Sequence, residues 1–179
     1  MMFTVEKACL VVVDVQGKLA TIVDDSEVVI ENIAKLVQAM QALEVSILWL
    51  EQNPSRLGGT ALNIAQHLQG QAIAKMAFSA CEEEEFVKAM KESGRSQFIV
   101  TGIETHICVY QTARQLKEQG FEVEVVVDAV SSRTKANKEI GLAKMSALGI
   151  YPTSMEMILY ELLQRADHEH FKTILQLVK

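Results

Sequence analysis

Three reactive side chains, Asp14, Lys75 and Cys108, stand at or just after the ends of apolar segments that read as strands. A cysteine thiolate is a nucleophile, and a carboxylate can take up the thiol proton and return it to a leaving amine. A nearby ammonium group favours both anions. The three residue types together predict attack of Cys108 on a carbonyl carbon, with Asp14 as general base and Lys75 as a fixed positive charge.

Cys108 lies where the β-branched run of Gln97–Val109 gives way, after Gly102, to a helical pattern. A strand-to-helix turn has unpaired backbone N–H groups and the positive end of a helix dipole, so we expect it to favour the thiolate. The backbone amides near Glu104 and Cys108 are the candidate oxyanion hole. Taken alone, a free cysteine is more commonly a buried packing residue.

Asp14 and Lys75 also have simpler interpretations. An aspartate after a first strand binds Mg²⁺ and phosphate in some proteins and caps a helix in others, and a lysine at a strand end is usually a solvated charge. The hypothesis of a catalytic site therefore rests on the three residues occurring together.

The surrounding sequence alternates strand-like and helix-like segments about six times, without repeats or a linker. This pattern predicts one three-layer α/β/α domain over residues 1–179, with a mostly parallel, Rossmann-like sheet of six strands. The carboxyl ends of parallel strands share one edge of the sheet, so Asp14, Lys75 and Cys108 are expected to meet there. Further expectations are a helix capped by Ser26 and a strand that ends at Asp128, before a polar segment that caps the next helix.

Composition limits the function classes. The 179 residues are 49 % hydrophobic and 22 % charged, as in ordinary folded proteins, and the net charge of −6 argues against a nucleic-acid partner. The apolar runs are too short to cross a membrane, and no signal peptide is visible at the N-terminus. Three widely spaced cysteines predict a reducing compartment, so the expected location is the cytoplasm.

Several separated motifs resemble the isochorismatase-like cysteine hydrolase superfamily, in particular its small single-domain members. In chain order they are VVVDVQ (Val11–Gln16), WLEQNPSRLGGT (Trp49–Thr60), KMAFSA (Lys75–Ala80), GIETHICVYQTARQL (Gly102–Leu116) and VVVDAVSSR (Val125–Arg133). The resemblance implies an isochorismatase-type fold and an Asp–Lys–Cys triad at Asp14, Lys75 and Cys108. It also implies a non-proline cis peptide at Ile103–Glu104, which would direct the Glu104 amide toward an oxyanion.

Metal binding is where the chain departs from the nicotinamidases of this superfamily. Those enzymes bind a metal through an Asp-x-His cluster after the second strand, and the corresponding Glu51–Thr60 contains neither aspartate nor histidine. We therefore expect no metal and no cofactor.

A substrate pocket is expected beside the triad, with Gln16, Gln52, Phe78, Ile103 and His106 as its possible residues. The two glutamines follow strand ends, where they could bind a substrate or hold local loops. Phe78 is the best candidate for an apolar wall. His106 is a weaker candidate for the base than Asp14. Of the other cysteines, Cys9 is expected to be an inert core residue and Cys81 to fill the start of a helix.

The favoured function is hydrolysis of the C–N bond of a small amide through a thioester. One alternative is an isochorismatase-type ether hydrolase that uses Asp14 and Lys75 but not Cys108. The other is a non-catalytic binding or scaffold protein on the same fold. A small molecule is the expected partner, with no nucleic acid and no membrane, and similar proteins lead us to expect a homo-oligomer.

Overall fold

The central sheet has six strands, and every pairing between neighbouring strands is parallel. The computed structural model describes residues 2–179. In chain order the strands are β1 (Ala8–Val13), β2 (Ser46–Gln52), β3 (Ile73–Lys75), β4 (Gln97–Ile103), β5 (Glu122–Ser131) and β6 (Tyr151–Thr153).

Helices cover both faces of the sheet. They are α1 (Leu19–Ile22), α2 (Ser26–Ala42), α3 (Pro54–Leu57), α4 (Leu62–Ala65), α5 (Glu84–Ser93), α6 (Tyr110–Glu118), α7 (Lys135–Ala147), α8 (Met155–Leu163) and α9 (Phe171–Val178). The long helix α2 packs on one face together with α8 and α9, and the opposite face carries α5 and α6. The expected three-layer α/β/α architecture is confirmed.

Strand β1 is apolar throughout because it packs against the core on both faces of the sheet. Leu10 and Val12 pack into the core beneath α2, whereas Cys9 and Val11 pack into the core on the other face. All six residues of β1 are buried, which is the pattern of a central strand covered on both sides.

The spatial order of the strands is β3-β2-β1-β4-β5-β6. The chain thus builds the sheet outward in one direction from β1 and then in the other direction from β4. In parallel sheets ligands bind at the carboxyl ends of the strands where the order reverses. The boundary between β1 and β4 is such a point, and Asp14 and Cys108 follow these two strands.

Gly102, near the end of β4, permits an unusually close approach between the two central strands. Its φ is +115°, and a Cβ at this position would lie 2.1 Å from the carbonyl oxygen of Val13. Only glycine combines that backbone conformation with that space. The backbone segments that precede Asp14 and Cys108 are therefore held directly against each other.

Two local expectations were wrong. The fifth strand does not end at Asp128; a shift in its pairing with β4, between Val100 and Gly102, lets it continue to Ser131. The Asp128 carboxylate accepts a hydrogen bond from the Met155 N–H (2.8 Å) at the start of α8, and Thr134 is the residue that caps α7.

The start of α2 also differs from the prediction. Asp25 is the N-cap, and no side chain caps this helix.

The apolar residues of α8 are mostly buried. Met155, Ile158, Leu159, Leu162 and Leu163 all pack into the core beneath the sheet, whereas Met157 is exposed. Across residues 2–179, no helix has both the length and the apolar character needed to cross a membrane.

Candidate active site

Asp14 and Lys75 form a buried ion pair at the carboxyl edge of the sheet. The Nζ atom of Lys75 lies 2.8 Å from Oδ2 of Asp14, and the two residues are 2 % and 3 % exposed. Strand β2 separates β3, which carries Lys75, from β1. The long lysine side chain crosses that distance, as the shared strand edge predicts.

The ammonium group of Lys75 is fully coordinated. Besides Asp14, it donates to Gln52 Oε1 (2.5 Å) and to the backbone carbonyls of Ala77 (3.0 Å) and Phe78 (3.1 Å). A lysine has three donor hydrogens, so four acceptors leave it no capacity for a further ligand. Lys75 is therefore a fixed internal charge and not a solvated one.

Asp14 has an uncommon backbone conformation. Its φ is +50°, in the left-handed region that few side chains other than those of Asn and Asp adopt. Burial raises the pKa of the Asp14 carboxyl, and Lys75 opposes that rise. Its second oxygen, Oδ1, is buried and accepts no hydrogen bond from the residues that the structure describes.

Cys108 is the fourth residue of a wide, π-helical turn, Thr105–Val109, that joins β4 to α6. The Glu104 carbonyl accepts from both the Ile107 N–H (3.0 Å) and the Val109 N–H (3.3 Å), which defines the turn. Helix α7 packs tightly against this turn, because a Cβ on Gly141 would lie 2.9 Å from the Cα of His106.

The expected stabilisation of the thiolate is not found in the free protein. Burial, and secondly the negative charge of Asp14, raise the pKa of the Cys108 thiol to about 12, although Lys75 acts in the opposite direction. Cys108 is 8 % exposed, so desolvation of an anion outweighs the nearby ammonium group. A reaction through the Cys108 thiolate would therefore need a base to remove its proton.

Glu104 links the turn that carries Cys108 to the segment that follows β5. The Ile103–Glu104 peptide bond is cis, as the resemblance implied. The buried Glu104 carboxylate accepts from the Arg133 backbone N–H (2.9 Å) and from its Nε (3.2 Å). The sequence motifs did not identify this pair.

A cavity of about 170 Å³ opens beside the three residues. It is lined by Asp14, Gln16, Leu19, Gln52, Leu57, Phe78, Ile103, Glu104, Ile107 and Cys108. Four of the five residues suggested for the pocket are among these. Leu19, Leu57 and Ile107 were not predicted. Leu57 could have been, because it is a leucine within an otherwise polar segment after β2.

The side-chain amides of the two glutamines at the cavity already form hydrogen bonds with other residues of the protein. Gln16 donates to the carbonyls of Gln52 (2.9 Å) and Gly58 (2.7 Å) and accepts from the Gln52 N–H (2.6 Å). The Gln52 side chain accepts from Lys75 and donates to the Met76 carbonyl (2.8 Å). Both amides therefore hold the loops around the cavity.

His106 does not line this cavity. Its Nδ1 lies 2.9 Å from Oγ of Ser132, on the side of the turn where α7 packs. The other two cysteines lie outside the cavity as well. Burial raises the thiol pKa of Cys9 to about 12 and that of Cys81 to about 11.

A metal site is not found in the described part of the chain. No group of three or more His, Cys, Asp or Glu side chains within residues 2–179 is arranged to hold an ion. Near the end of β2, the Glu51 carboxylate accepts from the N–H (2.7 Å) and hydroxyl (2.8 Å) of Thr60.

Known proteins share both sequence motifs and the fold with this chain. The model of the Isochorismatase domain family matches residues 8–157. A relative from Phytophthora sojae, named secreted isochorismatase effector Isc1, is 34 % identical over 175 residues, covering 95 % of this chain and 83 % of the relative.

Solved structures agree over almost the whole chain. The MAR1 ribonuclease from Caenorhabditis elegans has a TM-score of 0.93 at 30 % identity, covering 99 % of this chain and 92 % of that one. YcaC from Pseudomonas aeruginosa, solved with hexane-2,5-diol and covalent acrylamide, has a TM-score of 0.91 at 25 % identity, with coverages of 98 % and 91 %. YcaC from Escherichia coli, described as an octameric hydrolase of unknown specificity, has a TM-score of 0.91 at 23 % identity, with coverages of 99 % and 90 %.

Proposed function

Since the chain belongs to the isochorismatase family, we propose that it is a cysteine hydrolase that cleaves the C–N bond of a small amide through a thioester on Cys108. The observation that carries the proposal is the arrangement of three groups around one cavity. Asp14 and Cys108 both line the cavity, and the ammonium group of Lys75 forms an ion pair with Asp14 without lining the cavity itself.

Acylation begins with proton transfer from the Cys108 sulfur to Asp14. A carboxylate with a raised pKa is a stronger base than a solvated one, which suits it to accept the proton of a thiol with a high pKa. The sulfur attacks the amide carbon, and the backbone N–H groups of Glu104 and Cys108 stabilise the oxyanion. Collapse of this intermediate breaks the C–N bond as Asp14 returns its proton to the departing amine.

Deacylation repeats the same chemistry with water. Asp14 takes a proton from water, whose oxygen attacks the thioester carbon, and the C–S bond breaks to release a carboxylic acid. Asp14 returns the proton to the Cys108 sulfur, which restores the starting state. Lys75 stabilises the ionised carboxylate during both halves of the cycle.

One similar protein carries a covalently bound amide. The Pseudomonas aeruginosa protein was solved with covalent acrylamide, an unsaturated amide. Acrylamide bonds to nucleophiles through its alkene carbon, so this adduct favours a reactive nucleophile in the present chain as well. The ether-hydrolase and scaffold alternatives remain the rivals to be tested.

The decisive experiment compares Cys108→Ala and Cys81→Ala with the unaltered protein. Each protein is incubated with a library of small amides, ammonia release is measured, and acyl adducts are sought by intact-mass and peptide mass spectrometry. We expect an adduct on Cys108 and ammonia release in the unaltered protein and in Cys81→Ala, and neither in Cys108→Ala.

Each rival gives a different result. Ether cleavage that persists in Cys108→Ala supports the ether hydrolase and contradicts the proposal. Absence of both adduct and ammonia release across the library, in a folded protein, supports the scaffold.

We also propose that the protein assembles from identical copies in a reducing compartment, the cytoplasm. The octameric state of the Escherichia coli structure and the three free cysteines of this chain support this. Light scattering after gel filtration tests the assembly, and a monomer at micromolar concentration contradicts it.

A further inference from the structure

The lining of the cavity indicates which amides it accepts. We propose that the substrates are small carboxamides whose acyl group is apolar and uncharged. This inference rests on the proposed function, because it concerns the same cavity. It goes beyond that function in excluding acidic and basic acyl groups.

The wall that faces an acyl group is aliphatic and aromatic. It is formed by Leu19, Leu57, Phe78, Ile103 and Ile107. Burial of apolar substrate surface against these side chains favours binding, whereas a charge placed against them would lose water. A cation would gain little in return, because the carboxylates of Asp14 and Glu104 are already paired with Lys75 and Arg133.

Three polar side chains of the cavity other than Asp14 already have partners within the protein. The amide groups of Gln16 and Gln52 bind backbone atoms and Lys75, as described above. The Glu104 carboxylate is paired with Arg133. A polar acyl group would have to break one of these interactions to obtain a partner.

No positive charge faces the cavity. Lysine and arginine are absent from its lining among residues 2–179, and Lys75 lies behind Asp14 with all its donors used. An anionic acyl group would meet two carboxylates, Asp14 and Glu104, and no available cation. The same absence distinguishes the cavity from a site built for an acidic ether substrate.

The leaving nitrogen of an amide is needed beside Asp14, which returns the proton to it. The Asp14 carboxylate lines the cavity together with Cys108. An N–H of the substrate carboxamide can donate to this carboxylate, which would place the leaving nitrogen beside the general base.

The size of the cavity limits the size of the substrate. At about 170 Å³ it is smaller than the usual ligand pocket of about 300–1,000 Å³, so it suits a compact amide. 4-Methylpentanamide is a suitable probe.

The first test measures charge selectivity at Cys108 without requiring a substrate. Propyl, sulfonatoethyl and trimethylammonioethyl methanethiosulfonate transfer a neutral, an anionic and a cationic group to a thiol. Rates at Cys108, measured by peptide mass spectrometry, are divided by the rates for free cysteine. We expect the neutral reagent to exceed both charged reagents by about 100-fold.

A matched pair of leucine variants tests whether the wall causes this selectivity. Leu57 lines the cavity, whereas Leu62 is 77 % exposed and lies outside it. We expect Leu57→Arg to raise the relative rate of the anionic reagent by about tenfold or more, because it supplies the missing cation. Leu62→Arg adds the same charge nearby and is expected to change the ratio by less than about twofold.

The second test uses hydrolysis. Succinamate and 4-methylpentanamide have nearly the same shape, with a carboxylate in one and an isopropyl group in the other, and 4-aminobutanamide supplies a cation. We expect kcat/KM for 4-methylpentanamide to exceed that for either charged amide by about 100-fold.

Several results would overturn the inference. These are charged reagents or amides that react as fast as the neutral ones, equal effects of the two arginine variants, and a Cys108 that reacts with none of the three reagents. Failure of the proposed function looks different. Cys108 would then react selectively with the neutral reagent, but no amide of any charge would give an acyl adduct or ammonia.

Discussion

The Glu104 carboxylate accepts two hydrogen bonds from Arg133, one from its backbone N–H at 2.9 Å and one from its Nε at 3.2 Å. The Glu104 side chain is buried, whereas that of Arg133 is more than half exposed. The backbone bond is therefore the protected part of the pair, and it connects the residue after β4 to the second residue after β5.

Glu104→Gln should lower both stability and turnover. It removes a charged acceptor from a buried site, which costs about 1–3 kcal/mol, and loosens the residue whose amide is proposed to bind the oxyanion. Arg133→Ala is the control, because it keeps the backbone donor and removes only an exposed charge, at about 0–1 kcal/mol. Urea unfolding and kcat measure the two effects. A larger loss in Arg133→Ala would contradict this ranking.

Asp14→Asn should make Cys108 more reactive toward alkylation while abolishing amide hydrolysis. The carboxylate raises the pKa of the thiol and Lys75 lowers it, so removing the carboxylate lowers the pKa from about 12. Iodoacetamide then reacts faster with Cys108 at pH 8.

In the unaltered protein the alkylation rate should rise about tenfold per pH unit between pH 7 and 10, because the thiolate fraction of Cys108 rises by that factor below its pKa.

Cys81 is the internal control for that measurement. Its pKa of about 11 is set mainly by burial, so its alkylation should be the same in Asp14→Asn and the unaltered protein. Slower alkylation of Cys108 in Asp14→Asn would show that the Asp14 carboxylate does not raise the pKa of the Cys108 thiol.

Glu83→Ala should reduce turnover without touching the cavity. The Glu83 carboxylate accepts from the backbone N–H groups of Ala77 (2.8 Å) and Met76 (2.7 Å), and these bonds lower its pKa. The same loop provides the carbonyls that bind Lys75, so its release should misplace the ammonium group. We expect kcat to fall about tenfold with KM nearly unchanged. Glu84→Ala, at an exposed position in α5, should be neutral, and equal losses in both variants would refute this role.

Gly141→Ala should destabilise the protein, although it lies inside helix α7. Alanine normally stabilises a helix by about 1 kcal/mol relative to glycine. Here its Cβ would lie 2.9 Å from the Cα of His106, in the turn that carries Cys108. Overpacking of this kind costs about 1–3 kcal/mol. Thermal unfolding measures the change, with the exposed Ser146→Ala as a control, and a rise in Tm for Gly141→Ala would contradict the expectation.

Glu124→Gln should stabilise the protein at alkaline pH only. Burial, and secondly the charge of Glu161, raise the pKa of Glu124 to about 7, with Glu122 acting in the same direction. Because the pKa of Glu124 is higher in the folded protein than in the unfolded chain, the protonated carboxyl stabilises the fold below its unfolded pKa of 4.5. That contribution is lost as the pH rises through the folded-state pKa of about 7. Tm at pH 8 should therefore rise by roughly 2–4 °C in the variant, with little change at about pH 4.5. Equal shifts at both pH values would show that titration is not the cause.

The sequence predicted the sheet and the meeting of Asp14, Lys75 and Cys108, because apolar runs mark buried parallel strands whose carboxyl ends share an edge. It did not predict the partners of Gln16 and Gln52, which are 36 residues apart and meet only through the fold. It also gave the wrong ionisation preference for Cys108. Burial of the thiol depends on packing around the turn, and a sequence motif carries no measure of that.

The contact between Gly102 and Val13 limits how this site can be altered by evolution or engineering. Because the two backbones touch, the spacing between the strands that precede Asp14 and Cys108 cannot be tuned by exchanging side chains. New specificities on this scaffold must come instead from the segments that supply Leu57 and Phe78. A directed-evolution campaign is therefore best confined to those segments, and libraries that randomise Gly102 should yield almost no folded variants.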